Sequence, residues 1–231
     1  MLTRSKLLRS TAMFAAAALA GGGMGIARSA SAQSSQQVTV DGARKVLADL
    51  RQDKAFGNAG DLIRRAKGVL IVPRLIKGGF IVGGEGGNGV LMVRRRSGWS
   101  DPAFYVIGAA SFGLQVGLEQ SELILLVMTE KGLNGIMQDQ FKIGAQAGIT
   151  VVTLGSGVEG ALAGPNVPDI VVWSSTTGLY GGLTVDGSVI RSQPNLDAAY
   201  YGRPMKTHDV LFGNQNTAQA AELRREINAI G

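Results

Sequence analysis

The chain has 231 residues, 45% of them hydrophobic, with 23 Lys and Arg against 17 Asp and Glu and a formal charge of +6. That apolar content excludes a disordered chain. The absence of cysteine excludes disulfides, thiolate metal sites and a lipid-modified N-terminal cysteine.

Residues 1–32 have the order of a secretory signal. Arg4, Lys6 and Arg9 open it, an uncharged stretch from Ser10 to Ile26 follows, and Ala30-Ser31-Ala32 closes it as a small-x-small cleavage site. Its apolar centre is shorter than the about 20 residues that cross a bilayer. No twin-Arg pair is present, which favours the general secretory route. Cleavage after Ala32 leaves 199 residues, enough for one domain with its own core. It also removes four basic residues and no acidic ones, taking the formal charge from +6 to +2. The expected working protein is therefore exported, periplasmic or secreted, and only mildly basic, with no bulk attraction to nucleic acid. Glycine is abundant, 34 of 231, without a collagen period. In strands it marks bulges and bends, so a curved sheet is expected.

Residues 33–57 read as a polar leader and an amphipathic helix. Gln33–Gln37 is expected to be mobile, and Ala43, Val46, Leu47 and Leu50 form a helical stripe with Asp41 as N-cap. A single domain then covers 58–231. Ala59, Leu62, Ile63 and Ala66 repeat the helical spacing, with Asn58 as cap. Gly68 to Val72 is a buried-type strand stopped by Pro73; Gly79 to Val82 and Val90 to Arg94 flank a glycine-rich turn. Further strands are expected over 103–118, 123–128, 143–154, 170–174 and 179–185. Glu130 to Gln138 reads as a short helix capped by Thr129, and Thr217 to Ile230 as a helix with Ala220, Leu223, Ile227 and Ile230 on one face. The order predicts an α+β fold: a glycine-rich, curved, mostly antiparallel sheet or barrel-like core, with short N-terminal helices and a C-terminal helix.

Catalytic motifs fail on context. Gly84, Gly86 and Gly89, and again Gly155, Gly157 and Gly160, match G-x-G-x-x-G, but a dinucleotide site needs a helix after the glycines. The first match leads into a strand-like run and reads as a hairpin loop; the second is followed by Pro165 and Pro168. Ala109 to Gly113 resembles a nucleophile elbow but lacks its first glycine, and nothing ties Ser111 to His208, the only histidine. A serine hydrolase is thus the remote alternative. No enzyme, cofactor or metal is expected.

Basic residues cluster: Arg64, Arg65 and Lys67 at the end of the second helix, Arg74 and Lys77 one strand later, and Arg94, Arg95 and Arg96 at another strand end. Such runs are either a solvated rim or a face for phosphate head groups.

Several motifs together resemble the SYLF domain, also known as the Ysc84 actin-binding domain. They are Lys67-Gly68-Val69-Leu70-Ile71-Val72-Pro73, Gly78 to Gly84, Gly89-Val90-Leu91, Gly98-Trp99-Ser100-Asp101-Pro102-Ala103-Phe104, Gln115-Val116-Gly117 with Glu119, Gly178 to Gly182 before Asp186-Gly187, and Tyr201-Gly202. The resemblance covers about residues 58–230. It implies a non-catalytic module that binds anionic, phosphoinositide-like lipid through an amphipathic helix and nearby basic residues. At the matching positions these are Leu62, Ile63, Arg64, Arg65 and Lys67, with Arg74 and Lys77 beside them. Some eukaryotic members bind actin, but an exported protein does not meet it, so actin is not an expected partner. The alternative is an envelope protein–protein interaction or structural module.

Overall fold

The computed structural model describes residues 21–52, 59–79, 82–112, 117–143, 148–153, 167–175 and 187–230. Two helices lead, α1 (Gly21–Gln52) and α2 (Ala59–Arg65). Five strands and a helix follow: β1 (Gly68–Gly79), β2 (Val82–Arg95), β3 (Gly98–Trp99), β4 (Ala103–Phe112), β5 (Gly117–Val127) and α3 (Glu130–Ile136). Then come β6 (Phe141–Lys142), β7 (Val151–Thr153), β8 (Ile170–Ser174) and β9 (Val189–Ser192). Three helices close the chain: α4 (Pro194–Tyr201), α5 (Thr207–Phe212) and α6 (Ala221–Ile230).

The described strands form one curled, half-barrel sheet in the order β6-β9-β4-β2-β1-β5-β8-β7, with β3 paired to β2. Every pairing is antiparallel except β7 with β8. The fold is α+β with a mostly antiparallel sheet, as the order of patterns predicts.

The sheet is covered on both faces, which explains its continuous apolar runs. Val69, Ile71, Val90, Met92, Ile124 and Leu126 point to a core completed by α1, α2 and α6. Leu70, Val72, Leu91, Val93, Leu125 and Ile190 point the other way, to a core completed by Leu133, Ile136, Phe141, Val210 and Leu211. On α1 the expected stripe of Ala43, Val46, Leu47 and Leu50 is buried, and on α6 Leu223, Ile227 and Ile230 are buried. Each of these Val, Leu and Ile side chains contributes about 1.5–3 kcal/mol of burial.

Four expectations need correction. First, α1 is helical well before Asp41, so Asp41 is no N-cap. Gln33–Gln37 is part of the helix rather than a mobile leader. Gln36 is buried there, and Gln37 donates to the Gln219 carbonyl at 3.3 Å and accepts from the Tyr200 hydroxyl at 3.3 Å, so polar contacts hold a segment that looks solvated in sequence. Second, β1 does not stop at Pro73. It passes through with a bulge between Val72 and Leu75, where a missing N–H is tolerated. Third, the glycines from 83 to 89 are strand, not turn: Gly83 pairs with Gly79, Gly84 with Gly78 and Gly86 with Ile76. Fourth, the strand expected over 103–118 is two strands, β4 and β5. Asn58, the strand expected over 179–185 and the second glycine motif at 155–160 lie outside the described residues.

Candidate functional site

The sequence-predicted basic cluster begins on α2. Asp61 sits in its first turn and Arg64 and Arg65 in its last, the charge order that complements the helix dipole. Leu62 and Ile63 turn inward, 4% and 0% exposed, and pack in the helical-side core. The apolar face of α2 is therefore satisfied by this protein's own sheet. Arg64 is 53% exposed and pairs with Asp61; Arg65 is exposed beside it.

Lys67 joins the sheet at once. Its N–H donates to the Val127 carbonyl at 2.7 Å, and its carbonyl accepts from the Arg94 N–H at 2.8 Å. Its ammonium, 47% exposed, lies 3.4 Å from Glu130 at the start of α3. Arg64, Arg65 and Lys67 thus crown one rigid corner. Exposed ion pairs such as these contribute only about 0–1 kcal/mol each, so they hold the cations loosely.

Arg74 and Lys77 are not part of that corner. Lys77 is ten residues beyond Lys67 along β1, about 30 Å at strand rise. It stands in register with Glu85 and Glu119 and shares the alternation of Leu75, which lines the inner core. Arg74 is exposed at the bulge. Nearness in sequence within a strand means distance in space, which splits the predicted cluster.

The Arg94–Arg96 run also divides. Arg94 is structural: Nη2 donates to the Ile63 carbonyl at 2.6 Å, Nε to the Ala66 carbonyl at 3.1 Å, and the guanidinium lies 4.4 Å from the Trp99 ring. It satisfies the carbonyls that the end of α2 leaves open. Only Arg96 is exposed.

Arg95 leads to a feature that the sequence does not announce. A cleft of 460 Å³ opens between the β2–β3 turn and α6, with Arg95, Trp99, Arg224, Arg225 and Asn228 in its wall. Arg95 donates to the Gly213 and Trp99 carbonyls. Arg224 pairs with the buried Asp101 and donates to the Thr217 carbonyl at 2.9 Å. The only hint in sequence is that Arg224 and Arg225 fall on the polar side of an amphipathic helix, which nothing local connects with Arg95.

The catalytic candidates do not assemble a visible site. Ser111 lies within β4, in register with Gly83. His208 is exposed on α5, its ring 4.9 Å from that of Phe212 and its Nδ1 3.7 Å from Asp209. Gly84, Gly86 and Gly89 are strand residues of β2, not a phosphate loop before a helix. Among the described residues no three His, Asp or Glu side chains group as metal ligands, and no helix is long and apolar enough to cross a membrane.

Comparison with known proteins finds relatives of this sequence. SH3 domain-containing YSC84-like protein 1 of Pongo abelii is 28% identical over 165 residues, 70% of this chain and 48% of that protein. LAS seventeen-binding protein 3 of Saccharomyces cerevisiae is 27% identical over 180 residues, 74% of this chain and 39% of its own length. Protein YSC84 of the same yeast is 26% identical over 165 residues, 70% of this chain and 35% of its own. The chain thus spans about half or less of the length of these relatives. The family model Ysc84, described as Las17-binding protein actin regulator, matches residues 108–230. The chain belongs to the Ysc84 family, the SYLF family that its glycine and aromatic motifs resemble.

Proposed function

We propose that this is a non-catalytic binding module of the cell envelope, exported by residues 1–32, which docks on anionic phospholipid surfaces. The observation that carries this reading is the exposed corner formed by Arg64, Arg65 and Lys67. Three cations within four residues stand on a backbone fixed by the β1 ladder and the Arg94 cap. The acids near Arg64 and Lys67, Asp61 and Glu130, are themselves exposed and yield readily to a denser anionic surface.

Because Leu62 and Ile63 are buried, this binding is electrostatic rather than insertive. Each basic residue near such a surface contributes about 1 kcal/mol, so three give about a hundredfold in affinity. Co-sedimentation with phosphatidylglycerol vesicles and with phosphatidylcholine vesicles tests it. Pelleting with the first only, lost in 0.5 M salt and in the Arg64→Ala/Arg65→Ala/Lys67→Ala protein, is expected. Equal pelleting with both, or with neither at low salt, overturns it.

A second reading is favoured by one relative's name, LAS seventeen-binding protein 3, and by the family description, Las17-binding protein actin regulator. On that reading the same corner contacts an acidic protein surface of the envelope. A lipid-independent partner recovered by the parent and lost by the triple variant would favour it. Actin is not proposed as a partner, because an exported chain does not meet it.

A further inference from the structure

In the cleft between the β2–β3 turn and α6, the groups left open to a ligand are amides. Asn214, Gln215, Asn216 and Asn228 line it beside three arginines. Those guanidiniums are engaged by the protein itself. Arg95 donates to the Gly213 and Trp99 carbonyls, Arg224 pairs with the buried Asp101, and Arg225 pairs with Glu222. Two of them fix the amide-bearing segment in place. Arg95 holds the Gly213 carbonyl, Arg224 donates to the Thr217 carbonyl at 2.9 Å, and Asp101 accepts from the Thr217 N–H at 2.7 Å. The span 214–216 is thus pinned at both ends, which lowers the ordering cost of binding there.

The side chains on that span are available. Asn214 and Asn216 are exposed and make no hydrogen bond among the described residues. Gln215 accepts from Arg203 at 2.9 Å and keeps its amide N–H₂ to donate. Asn228 donates to the Arg224 carbonyl at 2.7 Å and keeps its amide oxygen, which lies toward the β2–β3 turn: a Cβ on Gly98 would stand 3.8 Å from it. A free amide offers a donor and an acceptor with no charge, the pairing that a hydroxyl needs. An aromatic surface adjoins this wall. Phe212 is 42% exposed, and its ring lies 4.9 Å from that of the exposed His208. Asn214 is two residues further on, so its Cα is within about 7 Å of that of Phe212. A flat exposed ring beside amide groups suits the apolar face of a sugar ring. A peptide is disfavoured, because Ala221 and the buried Trp99 are the only apolar side chains in the wall. The volume, 460 Å³, has room for one or two sugar rings.

We propose that this cleft binds a neutral oligosaccharide, its hydroxyls on the amides of Asn214, Asn216 and Asn228 and one ring stacked on Phe212. The site is separate from the Arg64, Arg65 and Lys67 corner and does not rest on the lipid-surface reading. Arg95 and Arg224 act there as positioning residues, since they hold the backbone on either side of the amides.

The test is nitrogen–proton NMR of the full chain, titrated to tens of millimolar with cellobiose, maltose and N,N′-diacetylchitobiose. Asn214→Ala and Asn216→Ala assign the side-chain amide signals. A saturable shift of those signals is expected with at least one of the three sugars, unchanged by added salt, and none with sorbitol, a flexible polyol. Asn214→Ala/Asn216→Ala and Phe212→Ala should each weaken binding about tenfold, the loss of one good contact. All three side chains are exposed, so these variants keep the fold, and matching unfolding curves check it. The Arg64/Arg65/Lys67 triple variant should bind as the parent does. No shift with any of the sugars, a shift equal to that with sorbitol, or one abolished by salt overturns the proposal. A shift with a neutral Gly-Ser peptide and with none of the sugars overturns it in favour of a protein ligand.

Discussion

The Arg94 guanidinium lies 4.4 Å from the Trp99 ring while donating to the carbonyls of Ile63 and Ala66. One side chain thereby ties the end of α2 to the β2–β3 turn. A charged donor hydrogen bond contributes about 1.5–3 kcal/mol and a cation–π contact about 0.5–2, and they overlap in a shared group. Arg94→Ala should therefore destabilise the domain by about 2–3 kcal/mol, read from urea unfolding. Arg94→Lys should recover only a minor part, since a lysine lacks the planar fork that reaches two carbonyls. Full stability in either variant would show that the helix end is held by other contacts.

Asp197 makes folding pH-dependent. It is fully buried on α4, with one carboxylate oxygen accepting from the Phe104 N–H at 2.8 Å and the other from the Thr207 hydroxyl at 3.0 Å. Burial raises its pKa to about 6 and outweighs those two bonds, which lower it. The folded state thus holds this proton more tightly than the unfolded chain, where the ordinary value is 3.8. The contribution is fully present below about pH 4 and is lost as pH rises through about 6, a change of about 3 kcal/mol. Stability measured from pH 4 to 7 should fall across that window. Asp197→Asn keeps an acceptor for Phe104 and should flatten the profile. Asp169 does not mask this: burial opposes ionisation there, but bonds from Thr129 and Thr150 win and lower its pKa, so its effect falls at more acidic pH.

Regular elements with strong periodicity were legible in the sequence. The stripes of α1, α2 and α6, the Thr129 cap of α3 and the strand at 170–174 all follow from residue spacing. What could not be read depends on long-range contact. The short helices α4 and α5 carry too few turns for a period, although Pro194 at the first turn and Gly202 in the left-handed region, φ 69°, mark the ends of α4. At the candidate site, Arg64, Arg65 and Lys67 stay together because they straddle a helix end, whereas strand rise carries Lys77 away. The role of Arg94 needs carbonyls 28 and 31 residues earlier, and the cleft joins the turn at 95–99 to residues 214–228.

Tyr105 tests whether the inner core tolerates a wasted polar group. Its hydroxyl is buried with no hydrogen-bond partner, and burial holds the phenol neutral by pushing its pKa upward. Removing an unsatisfied hydroxyl returns its desolvation cost without changing ring packing. Tyr105→Phe should be as stable as the parent or up to about 1 kcal/mol more stable. A loss of more than that in thermal or urea unfolding would mean that the hydroxyl finds a partner in solution.

The glycines of β2 separate a folding role from a phosphate-binding one. A Cβ on Gly89 would sit 2.5 Å from the Ile71 carbonyl oxygen and 2.8 Å from Val72, and one on Gly87 would strike the Arg74 carbonyl. Both contacts lie against the β1 bulge, so β2 must present bare backbone there. A Cβ on Gly84 or Gly86 would meet only ordinary contacts, at 3.5 Å and 3.6 Å. Gly89→Ala should therefore cost about 2 kcal/mol or more, through forced shifts in a packed core. Gly84→Ala should change stability by less than about 1 kcal/mol, because it also removes backbone freedom from the unfolded chain. A nucleotide loop would depend on Gly84 and Gly86 as much as on Gly89. Equal damage from alanine at Gly84, Gly86 and Gly89, seen in unfolding curves, would refute the bulge as the reason for these glycines.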